Sequence, residues 1–227
     1  MTKQVKKCYM CEEDGVTSEH VPPKCIFPEI KDSLDGKNLK LQLITVPSCH
    51  EHNTAKSNND VYFQFVITVS ILSNQYADHQ LKTKLKRAIE RSPHLYNSFV
   101  ENNIVTRIEE INGLDFNTIA FQVDTDRLLN SIEHISYGLY YLEFNETYTG
   151  EMDIGIEGIL NFDHLDLMER TQKLIDNFEC LLAEQPWKGQ NPDIFLYKIE
   201  KNNIADENKT YLLLKFYENL RVSILMK

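Results

Sequence analysis

Apolar residues along this chain change their spacing several times, and each change marks an element. Leu81, Leu85 and Ile89 recur every fourth residue, which predicts an amphipathic helix over 81–91. Leu128, Leu129, Ile132, Ile135, Leu139 and Leu142 fall on one stripe, so a helix runs to Leu142 from a cap at Asp124 or Thr125. A third, longer amphipathic pattern covers 163–183. The run from Asp60 to Asn74 is densely apolar and aromatic, and its length favours a buried helix over a strand. Ser92-Pro93 opens a short helix to Glu101. Strand patterns occupy 104–110 and 117–123 around a turn at Gly113, and 154–160. Alternation returns at 193–198, 211–216 and 220–226, with Glu218-Asn219 as the last turn. The stretches 186–192 and 202–209 read as loops.

The first sixty residues have a different texture, short of apolar runs and rich in Cys, His and Pro. Residues 17–24 read as a short strand ended by Pro22-Pro23. Val46-Pro47-Ser48-Cys49 leads into a polar segment, 50–60, that suits the start of a helix. The expected class is therefore α+β. A small module over residues 1–62 precedes an α+β domain over 63–227, with four to six strands packed on one face by helices.

The module carries the chemistry. Cys8 and Cys11 form a CxxC, and Cys49 and His52 repeat its spacing as a CxxH. Thiolate and imidazole suit zinc, and two intervening residues let a tight knuckle aim both side chains at one ion. Cys8, Cys11, Cys49 and His52 would fill a closed, structural Zn²⁺ site, with His50 the rival for the fourth place. Glu19-His20 lies between the two halves, and Asn53 directly follows the second.

Taken together, these residues resemble the HNH endonuclease family, in particular its zinc-bearing members, including phage junction-resolving endonucleases. The family core is two strands and a helix around a metal, the ββα-metal module. The resemblance places Glu19 where Asp is usual, His20 at the general-base position and Asn53 at the Asn position, while His52 replaces a fourth Cys. It covers about residues 1–60. It implies a metal-dependent endonuclease acting on nucleic acid, most readily DNA. His20 would activate water, since imidazole titrates near neutrality. Glu19 and Asn53 would hold Mg²⁺ or Mn²⁺ through hard oxygen ligands. Lys24 and Lys56 are candidate phosphate contacts, and Asp60 a candidate extension of the metal shell. The alternative is a zinc-stabilised module that binds nucleic acid or protein without cutting. A place in restriction or antiphage defence also follows from the resemblance alone.

Charge qualifies the picture. The 227 residues carry a net −10. Residues 1–60 are nearly neutral, with eight lysines against nine acids, so the acidity lies in the remainder. An acidic domain does not wrap DNA by bulk electrostatics, and is better suited to binding a protein partner or a second copy. The one dense basic run is Lys82, Lys84, Lys86, Arg87 and Arg91. It reads as a solvated helix face or, alternatively, as a phosphate-contacting helix. His79, His94, His134 and His164 have no clustered neighbours, and Cys25 and Cys180 read as ordinary thiols, Cys180 on an apolar helix face. No apolar run reaches the roughly 18 residues of a membrane span. The Cys motif follows the N-terminus with no apolar signal region, and knuckle cysteines imply reduced thiols, so a cytoplasmic protein is expected.

Overall fold

The Cys8–Cys11 knuckle and a two-stranded sheet stand at the start of the chain, and one apolar core joins them to the elements that follow. The computed structural model describes residues 6–54, 57–70, 72–91, 93, 97, 103–109, 115–159, 165–202 and 209–227. β1 (Thr17–His20) pairs antiparallel with β2 (Thr45–Ser48), Glu19 opposite Val46 and His20 opposite Thr45. α1 (His50–Thr54) follows at once and packs on β1. α2 (Ser57–Val69) comes next, then α3 (Gln75–Gln80), a π-helical turn (Leu81–Leu85) and α4 (Lys86–Arg91). β3 (Ile104–Glu109) and β4 (Asp115–Ala120) form a separate hairpin. The turn expected at Gly113 and the short helix expected from Ser92 to Glu101 fall on stretches that lie largely outside the described residues.

α5 (Thr125–Phe144) is the central helix. Asp124 caps it by accepting from the Arg127 N–H, and Asn145 ends it in the left-handed region at φ 54°. Its buried stripe is Leu128, Ile132, Ile135 and Leu139. The stripe does not continue to Leu142, which is exposed. The sheet-facing place one turn on from Leu139 belongs to Glu143, bonded to Tyr197 and Lys188.

The remaining elements make one antiparallel sheet, ordered β5-β9-β8-β7-β6. These are β5 (Met152–Ile156), β6 (Lys188–Asn191), β7 (Phe195–Asn202), β8 (Lys209–Phe216) and β9 (Leu220–Met226). α6 (Leu165–Leu181) lies between β5 and β6 in sequence. Two expectations change here. The stretch 186–192 contains β6, because Lys188 and Asn191 pair with Tyr197 and Phe195 across a bulge. Its polar, glycine-bearing sequence has no strand pattern, and the edge position is fixed by pairing alone. The sheet is also covered on both faces. Leu212, Leu214, Phe216, Val222 and Ile224 face the main core, while Leu213 meets Ile175, Phe178 and Leu182 beneath α6. Alternation along β8 and β9 places apolar residues on both sides, which a one-sided sheet would not need.

One apolar core runs from Cys8 and Tyr9 through α2 and α5 to Met226. The boundary expected at 62/63 falls inside α2, where Tyr62 and Phe63 share that core and Phe63 meets Phe216 edge-on at 5.3 Å. The connection from β1 to β2 is a strap that holds the module to the rest. Buried Asp32 takes two bonds from Arg87 at 2.7 and 2.8 Å. The Ile26 carbonyl accepts from Gln80 and from the Tyr217 hydroxyl, and the Leu39 carbonyl from Asn191. No helix among the described residues is long and apolar enough to cross a membrane.

Candidate metal centre

The first knuckle is a chain reversal closed by backbone bonds. Cys8 N–H donates to the Glu13 carbonyl at 2.8 Å, and Gly15 N–H donates to the Lys6 carbonyl at 2.8 Å. Tyr9 N–H then reaches the Pro47 carbonyl at 2.9 Å and ties the knuckle to β2. Gly15 is there because nothing larger fits: a Cβ would lie 2.6 Å from that of Pro47. The second half-site is the β2–α1 junction. Cys49 ends the strand, and one helical turn brings His52 back over it, with His52 N–H 3.5 Å from the Cys49 sulfur.

The four side chains converge. His52 Nδ1 lies 3.6, 3.5 and 3.2 Å from the sulfurs of Cys8, Cys11 and Cys49, and the Cys11 and Cys49 sulfurs are 4.0 Å apart. A tetrahedral Zn²⁺ with ordinary bond lengths requires about 3.8 Å between sulfurs and about 3.6 Å between sulfur and nitrogen. The donor set and its spacing therefore fit zinc, through Nδ1 of His52. His50 is exposed and outside the cluster. Among the described residues this is the one grouping of three or more His, Cys, Asp or Glu ligand atoms.

The surroundings favour thiolate at one position and oppose it at another. Burial raises the Cys8 thiol, but backbone bonds from Met10 and Cys49, then His52 and Cys11, outweigh it and bring it down to about 7. Cys11 is pushed up to about 11, chiefly by burial and further by its sulfur neighbours. A cation bound by all four would reverse the second effect, since a coordinated thiol is deprotonated.

Around the clamp the sequence reading missed a partner. His134, with no neighbours in sequence to mark it, is buried on α5 and its Nδ1 lies 2.9 Å from the Tyr9 hydroxyl. Its ring is 6.5 Å from that of His52. One turn on, Gly138 lets α5 approach the module, since a Cβ there would stand 2.5 Å from a Val21 methyl. Tyr9 is buried, and its hydroxyl is held far above its ordinary range by burial, then by Glu19, Cys8, Asp60 and Cys49. Only an α5 already docked on the hairpin makes this constellation visible; no local motif does.

The other candidates are placed as follows. Glu19 is buried on β1, and His20 beside it is half-buried. Asn53 is half-buried on α1, the helix that packs on β1, and its N–H donates to the Cys49 carbonyl at 3.2 Å. Asp60 is half-buried on α2, and its carbonyl takes the Cys25 thiol at 3.3 Å. Lys24 is exposed, and Lys56 lies outside the described residues. Cys180 is exposed on α6, not on its apolar face, because Phe178 and Leu182 supply that face. Two of the basic run reach into the protein, and two others pair on the surface with acids of their own helical segment. Lys82 pairs with Asp78, Lys86 with Glu90 and Arg87 with Asp32, and Lys84 donates to the Cys25 carbonyl.

Comparison with protein-family models, with curated proteins and with solved structures finds no match to this chain. The functional reading therefore rests on the site itself.

Proposed function

We propose that the protein is a metal-dependent endonuclease of the HNH, ββα-metal type, with a structural zinc in the Cys8, Cys11, Cys49 and His52 clamp. The observation that carries this reading is the order hairpin, clamp and helix, with Glu19-His20 on β1 and Asn53 on the helix that packs against it. In this reading Glu19 and Asn53 hold a Mg²⁺ or Mn²⁺ ion through oxygen. A divalent ion there would neutralise a phosphate oxygen and the departing 3′ oxygen. His20 takes a proton from water as the water oxygen bonds to phosphorus. The bond to the 3′ oxygen breaks, that oxygen is protonated, and the products are a 5′-phosphate and a 3′-hydroxyl.

A plasmid-nicking assay with Mg²⁺ or Mn²⁺, comparing the intact protein with His20→Ala, tests it. Cleavage by the wild type and its loss in the variant is the expected result. Undiminished cleavage by the variant, or cleavage in EDTA, refutes the mechanism. A second reading, a zinc-stabilised binding module without activity, draws support from the near-complete burial of Glu19. Binding without cleavage of any DNA or RNA form would favour it.

A further inference from the structure

Charge on this chain is segregated. The strap, 24–44, and the run from α3 to α4, 75–91, together hold nine lysines and arginines against five acids, a net +4. The whole chain is −10, so the remainder carries −14. The two segments are bonded to one another along their length. Lys84 donates to the Cys25 carbonyl, Gln80 to the Ile26 carbonyl, Arg87 to Asp32 and Tyr76 to Asp35. Like charges are held together there. Lys31 and Lys40 share Glu29, at 3.2 and 3.6 Å. Burial lowers the pKa of Lys84, and nearby Lys40 lowers it further, so an arriving anion would relieve a repulsion already present.

The cations of these segments that reach solvent are Lys24, Lys31, Lys37, Lys82, Lys86 and Arg91. Among the described residues Lys24 and Arg91 have no acid partner. The other four sit in local pairs with Glu29, Asp35, Asp78 and Glu90. Ion pairs on a surface are weak, and a dense polyanion can replace them. The position of this face bears on the proposed site. Lys24 follows His20 by four residues, which keeps the two within about 14 Å. Each strand of duplex DNA advances about 3.4 Å per base pair, so a duplex with its cut bond at His20 would meet the first lysine about four base pairs away or nearer. The remainder, at −14, repels a polyanion, which steers the encounter towards this side. The phenylalanine and tyrosine of the two segments, Phe27 and Tyr76, are buried. Single strands draw on exposed aromatic rings for stacking, whereas a duplex is gripped by cations along its backbone, and cations are what this face presents.

We propose that the strap and α4 form the face on which the phosphate backbone of duplex DNA docks, to one side of the bond that is cut. This rests on the nuclease reading for the identity of the polyanion, although docking itself requires no cleavage.

The test measures binding of a labelled duplex, and of its separated strands, by the zinc-loaded, full-length His20→Ala protein, so that cleavage does not intervene. Ca²⁺ is present, and KCl is varied. The logarithm of the duplex affinity should fall against the logarithm of salt with a slope of about −3 or steeper, as when several phosphates are neutralised. Lys24→Gln/Arg91→Gln and Lys31→Gln/Lys86→Gln should each weaken binding about fivefold or more at low salt, and each should make the slope shallower by about 2. Arg170→Gln/Lys173→Gln removes the same charge from comparably exposed pairs on α6 and should bind like the parent. Circular dichroism and zinc content identify any variant that fails to fold; Lys24→Gln/Arg91→Gln leaves no acid without a partner and carries the test in that case. No binding of duplex at low salt, equal losses in the α6 control, or tighter binding of single strands overturns the proposal. So does self-association through the same lysines with no duplex bound, which would make the occupant the acidic side of a second copy. If the wild type cuts but the face variants bind and cut unchanged, the docking face fails and the nuclease stands. If nothing is cut but duplex binds through these residues, the face stands and the catalytic reading fails.

Discussion

Four residues define the clamp, and each can be removed singly. Purified protein should contain about one zinc per chain, and Cys8→Ser or Cys49→Ser should lose it. His52→Ala should lower zinc content far more than His50→Ala, since only His52 lies within reach of the three sulfurs. Elemental analysis decides both points, and the opposite order for the histidines would remove His52 from the site. Acid should release the metal. Thiolate and neutral imidazole are the ligand forms, so protons compete with the metal for all four side chains as pH falls. A chromogenic chelator should therefore report more zinc freed at pH 5 than at pH 8. At the proposed catalytic position, His20→Ala should keep its zinc and lose roughly a hundredfold or more of any cleavage. The ligand set was legible in the sequence because the knuckle spacing is local: two intervening residues, twice. His134 was not, because its link to Tyr9 spans 125 residues and no periodicity encodes it.

Helices announced themselves by their stripes, and the cap of α5 followed from Asp124. Paired positions did not. β6 exists because β7 offers it an edge, so its sequence carried no strand signal, and the cover on the second sheet face became visible only with α6 in place. The α5 contact at Gly138 gives an element-scale prediction. Gly138→Ala puts a methyl against Val21 and should cost about 1–3 kcal/mol of stability, the range for overpacking. Urea denaturation measures it, and an unchanged midpoint would show that α5 does not press on the hairpin. The strap gives another. Arg87→Ala leaves Asp32 buried without its two bonds, and should destabilise by about 3 kcal/mol, the low end for orphaning a buried charge since Arg87 is itself partly exposed.

At the scale of the molecule, the metal clamp and the five-stranded sheet share one core. Metal removal should therefore be felt far from the metal. Trp187 is the sole tryptophan, packed with the cluster under α6 and overlain by Lys198 and Lys215 at 5.0 and 4.4 Å from its ring. Stripping zinc should lower the temperature at which Trp187 fluorescence reports unfolding, in the same transition that circular dichroism follows. A Trp187 transition that ignores zinc would mean that the two regions unfold separately. The bond from the Tyr217 hydroxyl to the Ile26 carbonyl, 2.9 Å long, joins residues 191 positions apart. On the ribosome, Ile26 emerges long before Tyr217 does. Contacts so distant in sequence form late, so the strap beside the clamp reaches its final place only after nearly the whole chain has been made. A nascent or prematurely terminated chain would carry every clamp residue yet lack the support that holds them in position.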